Sequence, residues 1–470
     1  MSLNVKPTPG TILPGALTGP AGPSERPGRL LPLVALGTAL VLVTYVTPMA
    51  TVPATAADLG AGAAARAWIL SSMSVGLAGA LLASGVLGDT FGRRRVYLAG
   101  LGALGAGALV CALAQQPGLF VAARVVEGAG GAAILACGLA LLADGFAPGP
   151  ARVHATSIWG ASVGLGVAAG AVLAAALDVG TGWRETYAVV AAVALLLLLA
   201  SLRGLPESSA EHARRIDVPG LVLLVAALTL LVSALTQGRN GLDALTVVLA
   251  VIAGLALVAF GLVEARVRTP LVDPGLLGNR RFRGATMGSL VLGLGIIGMS
   301  SFVPAVAQLG LGSGLWAASL PVVAWAGTSV ATSILVRHLP HPLEGPFPIA
   351  VLLVLVAAGQ ATGYGLSAGS SPWRLVVPMV LSGIATGMLN AVLGREAVAS
   401  VPPDRAAMGS GANNTARYLG AAVGITLFVT VATHAGADVV AGWNVAVLVA
   451  TGLTLLGAAA IAAAGLSGRA

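Results

Sequence analysis

Apolar stretches recur along almost the whole chain and alternate with short clusters of charged, proline and glycine residues. Fourteen of these stretches approach or exceed the roughly 20 residues that an α-helix needs to cross about 30 Å of hydrocarbon. The predicted spans are approximately residues 30–52, 68–88, 96–115, 118–143, 154–177, 183–203, 216–236, 244–263, 284–309, 315–336, 347–367, 374–396, 417–434 and 443–466. Because these runs lack the alternation of a membrane barrel, they predict an all-α polytopic membrane protein with 14 transmembrane helices.

The composition excludes several other classes of protein. With 57% hydrophobic and 9% charged residues, the chain has too few polar side chains to coat a soluble protein. Its two cysteines, Cys111 and Cys137, lie in apolar stretches and are expected to behave as small hydrophobic residues. The only lysine, Lys6, lies in a proline- and glycine-rich segment, which does not fit the phosphate-binding lysine of an ATP-driven pump. No zinc-protease motif, nucleophile elbow or paired-carboxylate arrangement is present, so we expect no enzyme and no metal, cofactor or nucleic-acid site.

Charge clusters divide the chain and give it an orientation. They predict four segments: a disordered cytoplasmic tail (1–29), an N-terminal six-helix bundle (30–203), linker loops with an inserted transmembrane hairpin (204–283) and a C-terminal six-helix bundle (284–470). If the tail is cytoplasmic, 20 of the 25 lysines and arginines fall on the cytoplasmic side and 4 fall in outside loops. Because basic residues in short loops collect in the cytoplasm, both termini are expected there, in a plasma membrane.

The loop after the second predicted span carries the first motif. It reads GVLGDTFGRRRVY and contains Gly85, Asp89, Gly92, Arg93 and Arg94. Glycines at these places permit close helix approach and a tight turn, and the aspartate is suited to a helix N-terminus or an arginine. A basic loop of this kind also arises from topology alone. The string resembles, position by position, the GxLaDrxGrk loop of the major facilitator superfamily.

The fourth predicted span carries two ionisable residues near mid-membrane. Arg124 and Glu127 occur in LFVAARVVEGAGGAA, which resembles the RxxqG motif of drug:proton antiporters in that superfamily, although Glu127 stands where the family usually has glutamine. The i, i+3 spacing places both side chains on one helix face. Two interpretations stay open, a static buried ion pair and a proton-coupling pair. Desolvation favours the neutral acid and Arg124 favours the carboxylate, so these two effects oppose each other.

Two other spans depart from the antiporter pattern. The fifth contains Gly160, Gly164, Gly166 and Gly170, which predicts close helix packing, but it lacks the proline and paired glycines of the GPxxGG signature. The first span has Thr44 where this branch usually carries an aspartate. Ordered resemblances along most of the chain, including NNTARYLGAAVG at 413–424, still indicate the fourteen-span branch of multidrug efflux type.

The resemblance implies a secondary active transporter that exports small hydrophobic or cationic organic compounds, such as drugs and antibiotics, by proton antiport with alternating access. In this hypothesis Asp89 and Arg93 latch the cytoplasmic face near Asn413 and Asn414, and protonation of Glu127 biases the protein toward its inward-facing state. The protein is expected to be a monomer whose partners are a small-molecule substrate, protons and membrane lipids. Candidate substrate-path residues are polar or aromatic residues of the spans, namely Tyr45, Thr47, Met49, Met73, Trp159, Ser162, Gln308, Trp325 and Asn390.

Alternatives to a proton-coupled drug exporter remain. The absence of an acid in the first span and the altered fifth span suit an uncoupled facilitator or a dedicated exporter of one specific metabolite. A non-transporting receptor or scaffold is disfavoured, because the sequence contains no sizeable soluble domain.

Overall fold

The computed structural model describes residues 27–177, 182–208, 217–239, 241, 243–267, 270–271, 274–434 and 438–466. Across these residues the chain is helical and forms no strand, so the all-helical prediction is confirmed. The long helices are α1 (Pro27–Asp58), α2 (Ala63–Phe91), α3 (Arg93–Leu113), α4 (Pro117–Gly145), α5 (Pro150–Ala176), α6 (Trp183–Gly204), α7 (Val218–Gly238), α8 (Ala244–Glu264), α9 (Arg280–Gly310), α10 (Leu315–Leu335), α11 (Pro346–Ala361), α12 (Val376–Ala399), α13 (Ala406–His434) and α14 (Val439–Leu466).

Proline marks the start of several helices. Pro27, Pro117, Pro150 and Pro346 are the first residues of α1, α4, α5 and α11. Proline suits this position, because the first backbone N–H groups of a helix have no intrahelical partner. Helix α1 therefore begins at Pro27 and includes the end of the predicted tail 1–29, the rest of which lies outside the described residues.

Within the described part of the chain, twelve helices are long and apolar enough to cross a membrane. Helix α11 is apolar but has only 16 residues, and α13 is long but more polar. Helix α13 begins at Ala406, before the predicted start of the thirteenth span at residue 417. The first three turns of α13 contain Ser410, Asn413 and Asn414, which hydropathy assigns to a loop, but all three side chains are buried.

Helices α1–α6 pack among themselves, as do α9–α14, and several helix pairs join the two groups. Helix α13 packs against α2 and α4, while α5 packs against α10 and α12. The glycines of α5 bring it close both to α12 of the other group and to α1 of its own group, as their spacing predicts. A Cβ on Gly160 would lie 3.0 Å from the Ala391 nitrogen of α12, and one on Gly166 would lie 2.4 Å from the Ala39 oxygen of α1.

Helices α7 and α8 form a pair beside these two groups. They pack against each other, and α7 also contacts α2 and α13, which belong to different groups. Most of α8 is exposed, and its exposed residues are apolar. Such a surface suits contact with lipid.

Helix α9 is not a regular α-helix along its length. It passes through π-helical turns at Gly293–Ile297 and Val306–Gly310, with Pro304 between them. Its packing on α13 is close, because a Cβ on Gly420 would lie 2.1 Å from the Leu290 oxygen. Local π turns interrupt α-helices at functional sites in many proteins, and this stretch of α9 also lines the central cavity described below.

Candidate functional site: a central cavity and a latch

A cavity of about 110 Å³ lies between the two helix groups. Its walls come from α1 and α5 on one side and from α9, α10, α12 and α13 on the other. Most lining residues lie in the later halves of α1, α5 and α9 and in the first half of α10, which runs the opposite way. The cavity therefore extends from mid-height toward the end of the molecule opposite to the Asp89–Arg93 loop.

Five of the predicted substrate-path residues line this cavity, namely Tyr45, Met49, Gln308, Trp325 and Asn390. They come from α1, α9, α10 and α12, so the structure brings together residues that are far apart in the sequence.

The other four predicted path residues do not line the cavity. Thr47 and Ser162 donate hydrogen bonds to carbonyls of their own helices, those of Val43 and Trp159. Met73 and Trp159 are fully buried between helices, Met73 next to α4 and Trp159 against Gly394 of α12. These four side chains are buried within or between helices rather than facing the cavity, which explains why they are apolar or small and polar.

Arg417, the first residue of the thirteenth predicted span, was not predicted to be a site residue. It lies in α13, is 4% exposed and lines the cavity. Its Nε and Nη2 atoms have no hydrogen-bond partner among the described residues. The neighbouring Tyr418 makes an edge-to-face contact with Tyr45 of α1, with ring centroids 5.5 Å apart. The sequence signal that could have identified Arg417 is the presence of an arginine just after two asparagines at the start of a membrane helix.

The twenty described residues that line the cavity include no acidic side chain, and Arg417 is their only charged member. The expectation of cationic substrates therefore finds no counter-charge in this cavity. Among the described residues, no group of three or more His, Cys, Asp or Glu side chains is placed to hold a metal ion.

Arg124 and Glu127 form a buried pair on α4, and both side chains are 0% exposed. Arg124 Nη1 donates to Glu127 Oε2 at 2.6 Å and to the Thr44 backbone carbonyl of α1 at 2.9 Å. The Tyr187 ring of α6 lies 5.7 Å from the guanidinium carbon. Glu127 Oε1 and two guanidinium nitrogens lack partners among the described residues. The pair thus lies among α1, α3, α4 and α6, beside the cavity rather than in its lining.

The loop after α2 joins the two helix groups at one end of the molecule. The Asp89 carboxylate accepts hydrogen bonds from the backbone N–H groups of Ala407 at 3.1 Å and Met408 at 2.8 Å. These N–H groups belong to the first turn of α13, where unpaired donors and the helix dipole favour an anion. Asp89 was expected at the N-terminus of this helix near Asn413 and Asn414, and it lies there one to two turns earlier because α13 starts earlier.

Arg93 extends this contact to two further segments. Its Nε donates to Asp89 at 2.9 Å, Nη2 donates to the Pro403 carbonyl at 2.7 Å, and Nη1 pairs with Asp144 at the end of α4. The Ser208 hydroxyl, after α6, also bonds Asp144. Arg93 is buried, so these charge-assisted bonds act in a poorly hydrated site. We call Asp89, Arg93, Asp144, Ala407 and Met408 the latch.

Two glycines allow the latch to form. A Cβ on Gly85 would lie 2.3 Å from the Ala407 oxygen, so any larger residue separates α2 from α13. Gly92 has φ 111°, a value that other residues rarely adopt, and it makes the turn between α2 and α3. Arg94 points away from the latch and donates to the Leu202 carbonyl at the end of α6.

At the end opposite the latch, Arg239 of the α7–α8 connection reaches between the two helix groups. It donates to Ser71 of α2 at 2.7 Å and to Thr426 of α13 at 3.2 Å. Burial lowers the pKa of this guanidinium from its usual value. In the sequence, Arg239 is one of the four basic residues of the outside loops, and its contacts with the two helix groups were not predicted.

Comparisons with known proteins agree with this architecture. The sequence profile of the Major Facilitator Superfamily matches residues 34–425. A cephamycin export protein of Amycolatopsis lactamdurans is 32% identical, over 85% of this chain and 84% of that protein. A puromycin resistance protein of Streptomyces alboniger is 31% identical, over 93% of this chain and 90% of that protein.

The fold is also similar to a solved structure. The human organic anion transporter MFSD10 superposes with a TM-score of 0.67 at 20% identity, over 93% of this chain and all of that one. At this identity the likeness speaks for the fold alone. The family match, the transporter homologues and the multi-pass helical fold together identify the chain as a member of the Major Facilitator Superfamily, a plasma-membrane transporter rather than an enzyme.

Proposed function

We propose that the chain is a fourteen-span exporter of the drug:proton antiporter branch, which moves small, largely apolar organic compounds, including antibiotics, out of the cell. The observation that carries this proposal is a cavity between two helix groups that is closed at one end by the latch and extends toward the other end. Transporters of this architecture bind substrate between two bundles and expose it alternately to each side. The names of the export and resistance proteins reported above support the substrate class.

The proposed topology adds α11 and α13 to the twelve candidate spans. Helix α11 packs between α12 and α14, and α13 packs in the centre of the molecule against α2, α4 and α9. Buried polar residues are tolerated in such a position, because neighbouring helices rather than lipid surround them. We place the latch and both termini in the cytoplasm, with residues 30–203 and 284–470 as bundles and 204–283 as linker and hairpin. The cavity is complete within one chain, which supports a monomer.

The proposed coupling element is the Arg124–Glu127 pair. Arg124 holds Glu127 and the Thr44 carbonyl at the same time, and Tyr45 of the cavity wall follows Thr44 directly on α1. A proton that binds Glu127 from outside removes the charge that Arg124 neutralises, so the ion pair that holds the Arg124 side chain in place beside α1 weakens. In this proposal that change favours rocking of the bundles, opening of the latch and exposure of the cavity to the cytoplasm.

The test is transport into inside-out membrane vesicles with an imposed pH gradient, using puromycin and a panel of organic dyes. Wild type is compared with Glu127→Gln and with Glu344→Gln, which removes an exposed carboxylate paired with Arg281. We expect Glu127→Gln to abolish gradient-driven uptake and to retain substrate counterflow, while Glu344→Gln behaves as wild type.

Three results would contradict the proposal in different ways. Equal gradient-driven uptake in wild type and Glu127→Gln would remove Glu127 from coupling, and an absence of any gradient effect would favour the uncoupled facilitator. An absence of flux for every compound tested would overturn the assignment as a drug exporter.

A further inference from the structure

We infer that the cavity contains an anion-binding site centred on Arg417, and that the exporter's substrates are aromatic organic acids bound through a carboxylate. This inference rests on the proposed export function and names its substrate class.

The first observation is the state of Arg417 itself. Its side chain is almost completely buried, it lines the cavity, and the described residues place no acidic group in hydrogen-bonding or ion-pairing distance of it. The other buried arginines of the described residues differ: Arg93, Arg124 and Arg395 are each paired with carboxylates. Burial of an unpaired charge is costly, so an arginine in this state calls for an anion that enters from outside the chain.

The second observation is that, among the lining residues, the fully buried side-chain polar atoms that lack a hydrogen-bond partner are all donors. They are Nε and Nη2 of Arg417 and Nε1 of Trp325, a largely buried indole on α10. A carboxylate has only acceptor atoms and can receive two parallel hydrogen bonds from one guanidinium. A cationic substrate would bring further donors and would leave every one of these atoms without a partner.

The third observation concerns the rest of the cavity wall. Tyr45 and Tyr418 form an aromatic pair next to Arg417, and most of the remaining lining residues are aliphatic. Flat apolar bodies with one acidic group fit such a site, because ring stacking and the ion pair then act together.

The test uses three probes with one ring system and different charge: 1-naphthoate, neutral 1-naphthamide and cationic 1-naphthylmethylammonium. Binding of each radiolabelled probe is measured on the purified full chain in phosphatidylcholine nanodiscs, which contain no net-anionic lipid headgroup. We expect wild type to bind 1-naphthoate most tightly and the ammonium most weakly.

The variant Arg417→Gln removes the charge and keeps a hydrogen-bonding side chain. We expect it to weaken 1-naphthoate binding about 10- to 100-fold, the worth of a charge-assisted hydrogen bond, and to change 1-naphthamide binding less than about twofold. Arg417→Lys restores part of the lost affinity. Arg239→Gln is the matched control, because it removes a half-buried cation that is hydrogen-bonded and does not line the cavity.

Several results would overturn the inference. These are tighter binding of the ammonium than of the carboxylate by wild type, unchanged 1-naphthoate binding in Arg417→Gln, and an equal loss in Arg239→Gln. Loss of all three probes in both Arg417 variants would also overturn it, because that pattern indicates that Arg417 only holds the cavity in shape. Binding requires no transport, so vesicle flux tests the export function separately: flux of cations alone would leave that function standing and refute the anion site.

Discussion

Removal of the Asp89 charge is the sharpest perturbation of the latch. The carboxylate accepts two backbone N–H bonds from the first turn of α13 and one bond from Arg93, and it is buried. In Asp89→Asn the amide oxygen retains one acceptor role, while its NH₂ group faces donors. Hydrogen bonds to charged groups contribute about 1.5–3 kcal/mol and neutral ones about 0.5–1.5 kcal/mol, so we expect the latched state to lose about 2–3 kcal/mol. At about 1.4 kcal/mol for each factor of ten, the latch-open fraction rises about 30- to 150-fold.

A cysteine placed across the latch reports this change. Ser410 of α13 is fully buried and donates to the Leu135 carbonyl of α4, so it lies where the two helix groups meet. In Ser410→Cys protein, the maleimide labelling rate follows the open fraction. The native Cys111 is buried away from the latch, where its thiol contacts the Phe120 carbonyl, and it serves as the internal reporter of unfolding.

We expect Asp89→Asn to raise labelling at position 410 about 30- to 150-fold, the factor estimated above, with Cys111 unchanged. A rise of less than about threefold would refute the assigned strength of the Asp89 contacts. An equal rise at Cys111 would show that the substitution unfolds the protein rather than opening the latch.

Two further substitutions test close packing and buried charge. Gly85→Ala is expected to prevent latch closure and abolish transport, since its Cβ would lie 2.3 Å from the Ala407 oxygen. Gly102→Ala is the control, because its Cβ would have nothing within 4 Å, and it should transport as wild type. Full activity in Gly85→Ala would contradict the contact. Arg124→Met alone is expected to lower the free energy of unfolding by about 3–5 kcal/mol, because it leaves Glu127 unpaired. The double variant with Glu127→Met should be near wild type in stability, but its transport should no longer depend on the pH gradient. Thermal unfolding and gradient-driven uptake measure both effects, and a double variant less stable than the single one would refute the interpretation.

The helical architecture follows from the sequence because lipid-facing helices must be apolar along their length. Helix α8, which is largely exposed and apolar, is the clearest case. Helix α13 shows where this reasoning fails. Its polar first turns contact other helices instead of lipid, so hydropathy placed Asn413 in a loop and Arg417 at the very start of a span, although both are buried. A hydropathy pattern identifies helices that face lipid. It does not identify a helix such as α13, whose neighbours at the centre of the protein are other helices.

The site was predictable where one helix holds both partners. The i, i+3 spacing of Arg124 and Glu127 indicated their contact, and the ion pair lies at 2.6 Å. The Thr44 carbonyl that completes this site was out of reach, since it depends on how α1 packs against α4. The same limit applies to the cavity, whose walls come from six helices.

The central claim is that the two helix groups rock, so that one end of the molecule closes as the other opens. Spin labels at two pairs of exposed positions test it. Phe91 and Leu339 lie at the latch end, and Val172 and Trp316 lie nearer the opposite end. In each pair the first residue belongs to the first helix group and the second to the other group. Pulsed electron–electron distance measurements in proteoliposomes would follow both pairs at high and low pH. We expect two distance populations for each pair, with the Phe91–Leu339 distance lengthening under the conditions in which Val172–Trp316 shortens. Distances that change together, or a single fixed population at both ends, would contradict alternating access.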